Sequence, residues 1–306
     1  MSKVLIAIDK SQSYRVYLTI STEVVEMARK IHNTSPLATA GLGRVLTATG
    51  IMSVMMKDDS NRLTVQFKGD GPAKQILSCG YGDGRIKGFI SNPIVELPLT
   101  KERKLDVGGS LGVGELTVIR DTGGKEPYTG TIALVSGEIA DDLTAYWYIS
   151  EQQNTSIALG VKVSREKNVL AAGGMFIQML PEAQDAAVDS LELMLQDMKP
   201  ITTLVEETIL QGKGKSEQGL VDDLMKKIFS NIKEDFVPEI LGYKDIKLEC
   251  DCSKERMAKA LMAIGERDLN EIIEKDGQAE LGCRFCESKY TFTIEELKEL
   301  LVAIKR

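Results

Sequence analysis

Apolar and polar positions change their period three times along this chain. Ser35-Pro36 has the form of a helix start, with Ser as the N-cap and Pro at the first helical position. The Ala/Leu/Met-rich residues 37–56 behind it are long enough for one buried helix. Strand-like runs follow at 63–67, 74–79 and 85–91. Gly69-Asp70-Gly71-Pro72 and Gly80-Tyr81-Gly82-Asp83-Gly84 separate them as turns, which predicts a meander. Further strands are predicted at 115–120, 128–135, 157–163 and 175–180, with a helix over 138–151 among them. The class is α+β, and residues 1–181 are expected to form an N-terminal mixed core domain able to bury a core of its own.

A helical texture begins after Pro181. Ala187, Leu191, Met194, Leu195 and Met198 fall on one stripe of a helix, which Lys199-Pro200 stops. Thr203-Leu204-Val205-Glu206 has the form of a capping box opening a second helix, broken at Gly212-Lys213-Gly214. Leu220, Leu224, Met225, Ile228 and Phe229 mark a third. Residues 182–240 are therefore expected to be a helical linker with apolar stripes. The remainder, 241–306, predicts a small α+β domain. It has a strand at 246–250, a helix capped by Ser253 and ended by Gly265, hairpin arms at 279–282 and 290–292, and a last helix opened by Thr293-Ile294-Glu295-Glu296.

Charge and composition narrow the function. Apolar residues make up 43% and charged residues 27%, as in ordinary globular proteins. The early apolar run at 4–8 is too short for a signal peptide, and no later run reads as the roughly 20 apolar residues of a spanning helix, so a cytoplasmic protein without a membrane partner is expected. A net charge of −7 argues against a phosphate-rich partner. One histidine, His32, leaves little material for a His-based triad or metal site and reads as a capping or core residue. Four of the five cysteines lie in the last 57 residues, and that clustering changes the picture most.

Cys250-Asp251-Cys252 is separated by 30 residues from Cys283-Arg284-Phe285-Cys286. Two close pairs on separate local structures are what a tetrahedral four-cysteine zinc site requires, so Cys250, Cys252, Cys283 and Cys286 are the predicted ligands of one zinc ion. A segment this small has a marginal core, and zinc binding to such sites contributes about 10–16 kcal/mol at neutral pH, so its fold should depend on the metal. Four thiolates hold sulfur in its nucleophilic form, open to an oxidant, and loss of one ligand weakens the rest. Cys79, with no cysteine near it in sequence, reads as a buried small hydrophobe.

These residues resemble the heat shock protein 33 family of redox-regulated chaperonins, over nearly the whole chain. The similarity is carried by Glu249-Cys250-Asp251-Cys252-Ser253, Cys283-Arg284-Phe285-Cys286 and Tyr290-Thr291-Phe292. Gly69-Asp70-Gly71-Pro72, Ser150-Glu151-Gln152 and the run from Gly173-Gly174 to Leu180-Pro181 support it. The resemblance implies an ATP-independent holdase, a binding protein rather than an enzyme. It implies a reduced, zinc-bound state that is inactive. On oxidation Cys250 would pair with Cys252 and Cys283 with Cys286, zinc would leave, the C-terminal piece would unfold and the linker would lose order. Unfolding or oxidatively damaged clients are then bound, by an active state that associates as a homodimer. Met194, Met198 and Met225 suit a surface that must accept many client shapes.

Two glycine-rich motifs fail as nucleotide sites. The glycines of 108–114 have the wrong spacing and precede a strand, while Gly214-Lys215-Ser216 has Ile209 where a phosphate loop needs its first glycine. No catalytic residue or organic-cofactor site is predicted. Two other functions compete with the redox-gated chaperone. One is a permanent zinc module for docking protein or nucleic acid, the latter disfavoured by 12 Lys and Arg against 14 Asp and Glu in 241–306. The other is a thiol oxidoreductase using Cys283 and Cys286, which lacks the helix start within a βαβ unit that such a pair needs.

Overall fold

The computed structural model describes residues 2–304 and divides into two compact units, Met1–Glu249 and Cys250–Arg306. In the first unit the elements run β1 (Ser2–Asp9), β2 (Tyr14–Ile20), α1 (Thr22–His32), α2 (Pro36–Val54), β3 (Arg62–Gly69), β4 (Gln75–Tyr81) and β5 (Arg85–Ile90). They continue with α3 (Val107–Leu111), β6 (Gly114–Asp121), β7 (Tyr128–Ala133), α4 (Ile139–Ile149), β8 (Thr155–Val163) and β9 (Val169–Met179). Helices α5 (Asp185–Gln196), α6 (Ile201–Gln211) and α7 (Glu217–Ile228) follow, and β10 (Pro238–Leu248) closes the unit. All ten strands form one sheet in the order β7-β6-β3-β4-β5-β10-β1-β2-β9-β8. The class is α+β, as the periodicities predict.

Strand β10 joins two half-sheets. It runs antiparallel to β1 from Ser2↔Ile246 to Asp9↔Pro238, with a bulge opposite Ile6/Ala7. Its other edge pairs with β5 in parallel at two positions, Lys247↔Arg85 and Leu248↔Ile86. The approach is close because Gly84 has no side chain: a Cβ there would stand 1.9 Å from the Asp245 carbonyl oxygen, and its φ of +84° also suits glycine. The expected strand at 246–250 is thus longer, starts earlier and stops before Cys250. Its N-terminal half carries exposed residues, including Ile240 and Leu241, and so shows no apolar run to read.

One face of the sheet is covered by α1, α2 and α4. Helix α2 begins as the sequence predicts, with the Ser35 hydroxyl accepting from the Ala38 N–H at 3.4 Å and Pro36 in the first turn. It is long and apolar enough to cross a membrane by length and composition, yet 94% of the window is buried inside the fold, as the expected buried helix over 37–56 requires. Both half-sheets bury it on all sides. Residues 2–32 contribute two strands and a helix where the periodicity yields only a short apolar run.

Helices α5–α7 cover the other face over β1, β2 and β9. Leu191, Met194, Leu204, Val205, Leu224 and Met225 pack there against sheet residues such as Leu5, Val16, Leu18 and Met175. Fully burying one such side chain stabilises by roughly 1.5–3 kcal/mol, so this seam is a large part of the first unit's core. Residues 182–240 are in this sense a layer of the unit, and 241–248 are sheet. The Thr203–Glu206 capping box is not used: Pro200 already fixes the helical entry, α6 starts at Ile201, and no side chain caps it.

The second unit has α8 (Lys254–Ala263), α9 (Glu266–Lys275), β11 (Gln278–Gly282), β12 (Lys289–Thr293) and α10 (Ile294–Ile304); residues 305–306 of the expected C-terminal domain lie outside the described residues. Ser253 caps α8 by accepting from Arg256 N–H at 3.3 Å. The second capping box does form: Thr293 N–H donates to Glu296 Oε2 at 3.0 Å, and Glu296 N–H to Thr293 Oγ1 at 3.4 Å. Gly265 ends the first helix at φ +93° and leads directly into α9, which the sequence reading missed. The buried core of this unit is Leu261, Leu269, Phe292 and Leu297, with Cys283 also buried. Four apolar side chains are few for 57 residues.

Candidate metal centre

Cys250 and Cys252 lie in the extended stretch before α8. Cys283 and Cys286 occupy the turn between β11 and β12, which pair in register from Gln278↔Thr293 to Gly282↔Lys289. That turn is closed by the Cys283 N–H donating to Ser288 O at 2.9 Å and the Glu287 N–H to Cys283 O at 2.8 Å. Glu287 takes a left-handed φ of +58°, which brings Cys286 back beside Cys283. On the other strand Arg256 holds Asp251, donating to its carboxylate and, at 3.1 Å, to its carbonyl. Each cysteine pair is thereby fixed by backbone turns and by a helix start.

All four sulfur atoms lie within 4.8 Å of one another. Cys250 Sγ is 3.6 Å from Cys283 Sγ, and Cys252 Sγ is 3.3 Å from Cys286 Sγ. A disulfide needs about 2.05 Å, so these are not covalent contacts. Sulfur ligands about 2.3 Å from a tetrahedral zinc stand about 3.8 Å apart, and the observed spacing fits that figure. An all-sulfur donor set selects soft metals such as zinc. Cys283 is buried and the other three are half-buried, so the cluster has a side open to solvent.

The groups around the sulfurs are graded. Burial pushes the Cys250 thiol well up, and burial likewise raises Cys252. Burial also pushes Cys286 up, but the Ser288 hydroxyl and N–H and the neighbouring thiols outweigh it and bring Cys286 down to about 7. Tyr290 Oη lies 3.1 Å from Cys252 Sγ, and sharing that hydrogen bond pushes the phenol up to about 12. Ser288 and Tyr290 are contacts the sequence reading did not assign. Their position two and four residues after Cys286 was the available signal.

The other candidates fall elsewhere. Cys79 is half-buried on β4 in the first unit, its Sγ 3.7 Å from Thr64 Oγ1. His32, last residue of α1, has Nε2 3.0 Å from the Gly88 carbonyl oxygen, a helix-end tether. Of the glycines at 108–114, Gly108 and Gly109 lie within the five-residue α3 and Gly112 follows its end; Asp106 caps α3 by accepting from Gly109 N–H at 2.7 Å. Ser216 caps α7, and Lys215 pairs with Asp223 at 2.6 Å.

Comparison with known proteins gives one answer. The family profile described as Hsp33 protein matches residues 2–293. The chain is 40% identical over 301 residues to a "33 kDa chaperonin" of Alkaliphilus metalliredigens, covering 98% of each chain. Against the 33 kDa chaperonin of Clostridioides difficile it is 41% identical, covering 97% of this chain and 98% of that one. The crystal structure of the 33 kDa chaperonin (heat shock protein 33 homolog) from Thermotoga maritima superposes with a TM-score of 0.84, at 31% identity and 98% coverage of both chains. The chain belongs to the Hsp33 family. As an Hsp33-type chaperone it acts on client proteins, and its cysteine cluster fits the zinc and redox chemistry expected from the sequence.

Proposed function

We propose that the chain is a redox-gated, ATP-independent holdase, not an enzyme, whose reduced state holds one zinc ion on Cys250, Cys252, Cys283 and Cys286 and is inactive. The observation that carries this reading is the convergence of four thiol sulfurs within 4.8 Å in a unit where, among the described residues, four apolar core side chains are buried and the rest of its core is half-buried. Metal binding worth about 10–16 kcal/mol exceeds what such a core supplies, so loss of the ion unfolds the unit. Peroxide takes two electrons from each pair of thiolates, its O–O bond breaking to give two waters with two protons, as the Cys250–Cys252 and Cys283–Cys286 disulfides form and the chain releases zinc.

Cys250 follows the end of β10 by two positions, so when the second unit unfolds the chain beyond the strand that succeeds α7 becomes unstructured. Helices α5–α7 then lift from the sheet and expose the seam around Met194, Leu204 and Leu224 to clients. Active chains associate as homodimers. Nucleic acid and membrane are not partners: the net charge of −7 supports the first statement. A thiolate site needs a reducing compartment, which supports action in the cytoplasm.

The test is zinc stoichiometry with thiol counting, beside suppression of aggregation of a denatured client. Reduced protein should carry one zinc per chain and leave aggregation unchanged. After peroxide at raised temperature, or hypochlorous acid, it should lose zinc and suppress aggregation. An oxidised, zinc-free chain as inactive as the reduced one refutes the switch.

A further inference from the structure

Thioether sulfur is concentrated in the seam between the helices and the sheet. Of the chain's 12 methionines, Met175, Met194 and Met225 are buried in that seam, and Met179 and Met198 pack against it. They come from both sides: Met175 and Met179 from β9, Met194 from α5, Met198 just beyond it and Met225 from α7. Met175 is fully buried, whereas Met194 and Met198 also line a cavity of about 320 Å³ framed by α5, α6 and α7. The buried side chains clustered around Met194 and Met225 are aliphatic or aromatic, while the cavity is rimmed by Lys199, Glu207, Lys227 and Asn231.

We propose that Met194, Met198 and Met225 are a second oxidant-responsive site, a latch that keeps the helices from re-docking after the cysteines have been reduced. The inference rests on the release of α5–α7 proposed above. A hypohalous acid oxidises each exposed thioether by two electrons: an S–O bond forms, the O–Cl bond breaks, and chloride and a proton leave. The product sulfoxide carries a strong hydrogen-bond acceptor. Returning it among the apolar side chains that bury Met194 and Met225 replaces close packing by a polar, branched group, which disfavours docking by about tenfold per buried sulfoxide. Reducing the disulfides and restoring zinc would then refold the second unit and leave the client surface open. Closing it needs a sulfoxide reductase, not a thiol reductant alone.

The full-length chain is activated in two ways, with hypochlorous acid and with a diazenedicarboxamide that oxidises thiols only, then treated with dithiothreitol and zinc. Client-aggregation assays and peptide mapping follow each stage. After hypochlorous acid, Met194, Met198 and Met225 should gain one oxygen each, and client binding should persist through dithiothreitol and zinc until a methionine sulfoxide reductase is added. The thiol-oxidised sample, and a Met194→Leu, Met198→Leu, Met225→Leu variant treated with hypochlorous acid, should both lose client binding on dithiothreitol and zinc alone. Absence of oxygen at these methionines in the activated wild type overturns the proposal. Equal recovery of the two wild-type samples does so as well, without reference to how the variant folds. Failure to gain client binding at the first stage would overturn the switch itself, and is seen before any reductant is added.

Discussion

Replacing Gly84 with Ala tests how the two half-sheets are joined. The β5–β10 seam has two residue pairs and is held by the Lys247 N–H donating to Gly84 O at 3.0 Å and the Glu249 N–H to Ile86 O at 2.9 Å. A methyl group on Gly84 must adopt φ +84° and meets the Asp245 carbonyl oxygen at 1.9 Å. Left-handed backbone costs a non-glycine residue about 1–2 kcal/mol. Moving the Asp245 carbonyl away weakens the adjoining Lys247 hydrogen bond, adding about 1–2 kcal/mol. The expected loss is about 3 kcal/mol. Gly123 supplies the control, because it has φ +78° with nothing within 4 Å of its Cβ position and should lose only the backbone part. Trp147, the single tryptophan, is 7% exposed on α4 and reports the first unit alone. In urea, Gly84→Ala should lower the Trp147 fluorescence midpoint by about 1 M and Gly123→Ala by about half that. Equal midpoints for the two variants would refute the claim that close approach at this seam matters.

Three further outcomes are expected. Cys252→Ser should bring zinc well below one per chain, and β11–β12 amides should lose hydrogen-exchange protection, since one lost ligand opens the site. Cys79→Ser should leave zinc at one per chain, and a fall by metal analysis would show that a ligand was misassigned. The third concerns acid. Hydrogen bonding from Arg29 holds the Glu26 carboxyl down to about 2 against its ordinary 4.5, with burial opposing and the Val169 N–H assisting. The folded state favours the ionised form, so this stabilisation is complete above about pH 4.5 and fades as pH falls through about 2. Glu26→Gln should therefore lower the thermal midpoint at neutral pH, with the gap to wild type closing between those limits; a gap independent of pH would contradict the assignment.

The convergence of Cys250, Cys252, Cys283 and Cys286 was legible because paired cysteine spacing is local and chemically specific. The strands at 63–67, 115–120 and 128–135 were legible too, because each alternates over a half-exposed face bounded by glycine turns. Helix α9 was not: it carries one buried residue, Leu269, and follows Gly265, whose left-handed φ serves as a helix stop or as a corner between two helices. The place of β10 was beyond local pattern altogether, since its partners lie about 160 and 240 residues earlier in the chain. Likewise the stripes on α5–α7 announce apolar faces without saying what they cover. The Thr203 capping box misled because Pro200 acts first.

The placement of β10 has a consequence for synthesis. A nascent chain that has emerged as far as residue 237 possesses nine of the ten sheet strands, yet β5 and β1 still offer bare edges toward each other. Bringing Ser2 against Ile246 closes a loop of nearly the whole first unit, a slow step for any polypeptide. Until then this protein is itself aggregation-prone, with the unpaired edges that invite strand-to-strand sticking. The ribosome delivers the keystone strand before Cys283 and Cys286, so the sheet of the first unit can be completed before the four-cysteine cluster can assemble.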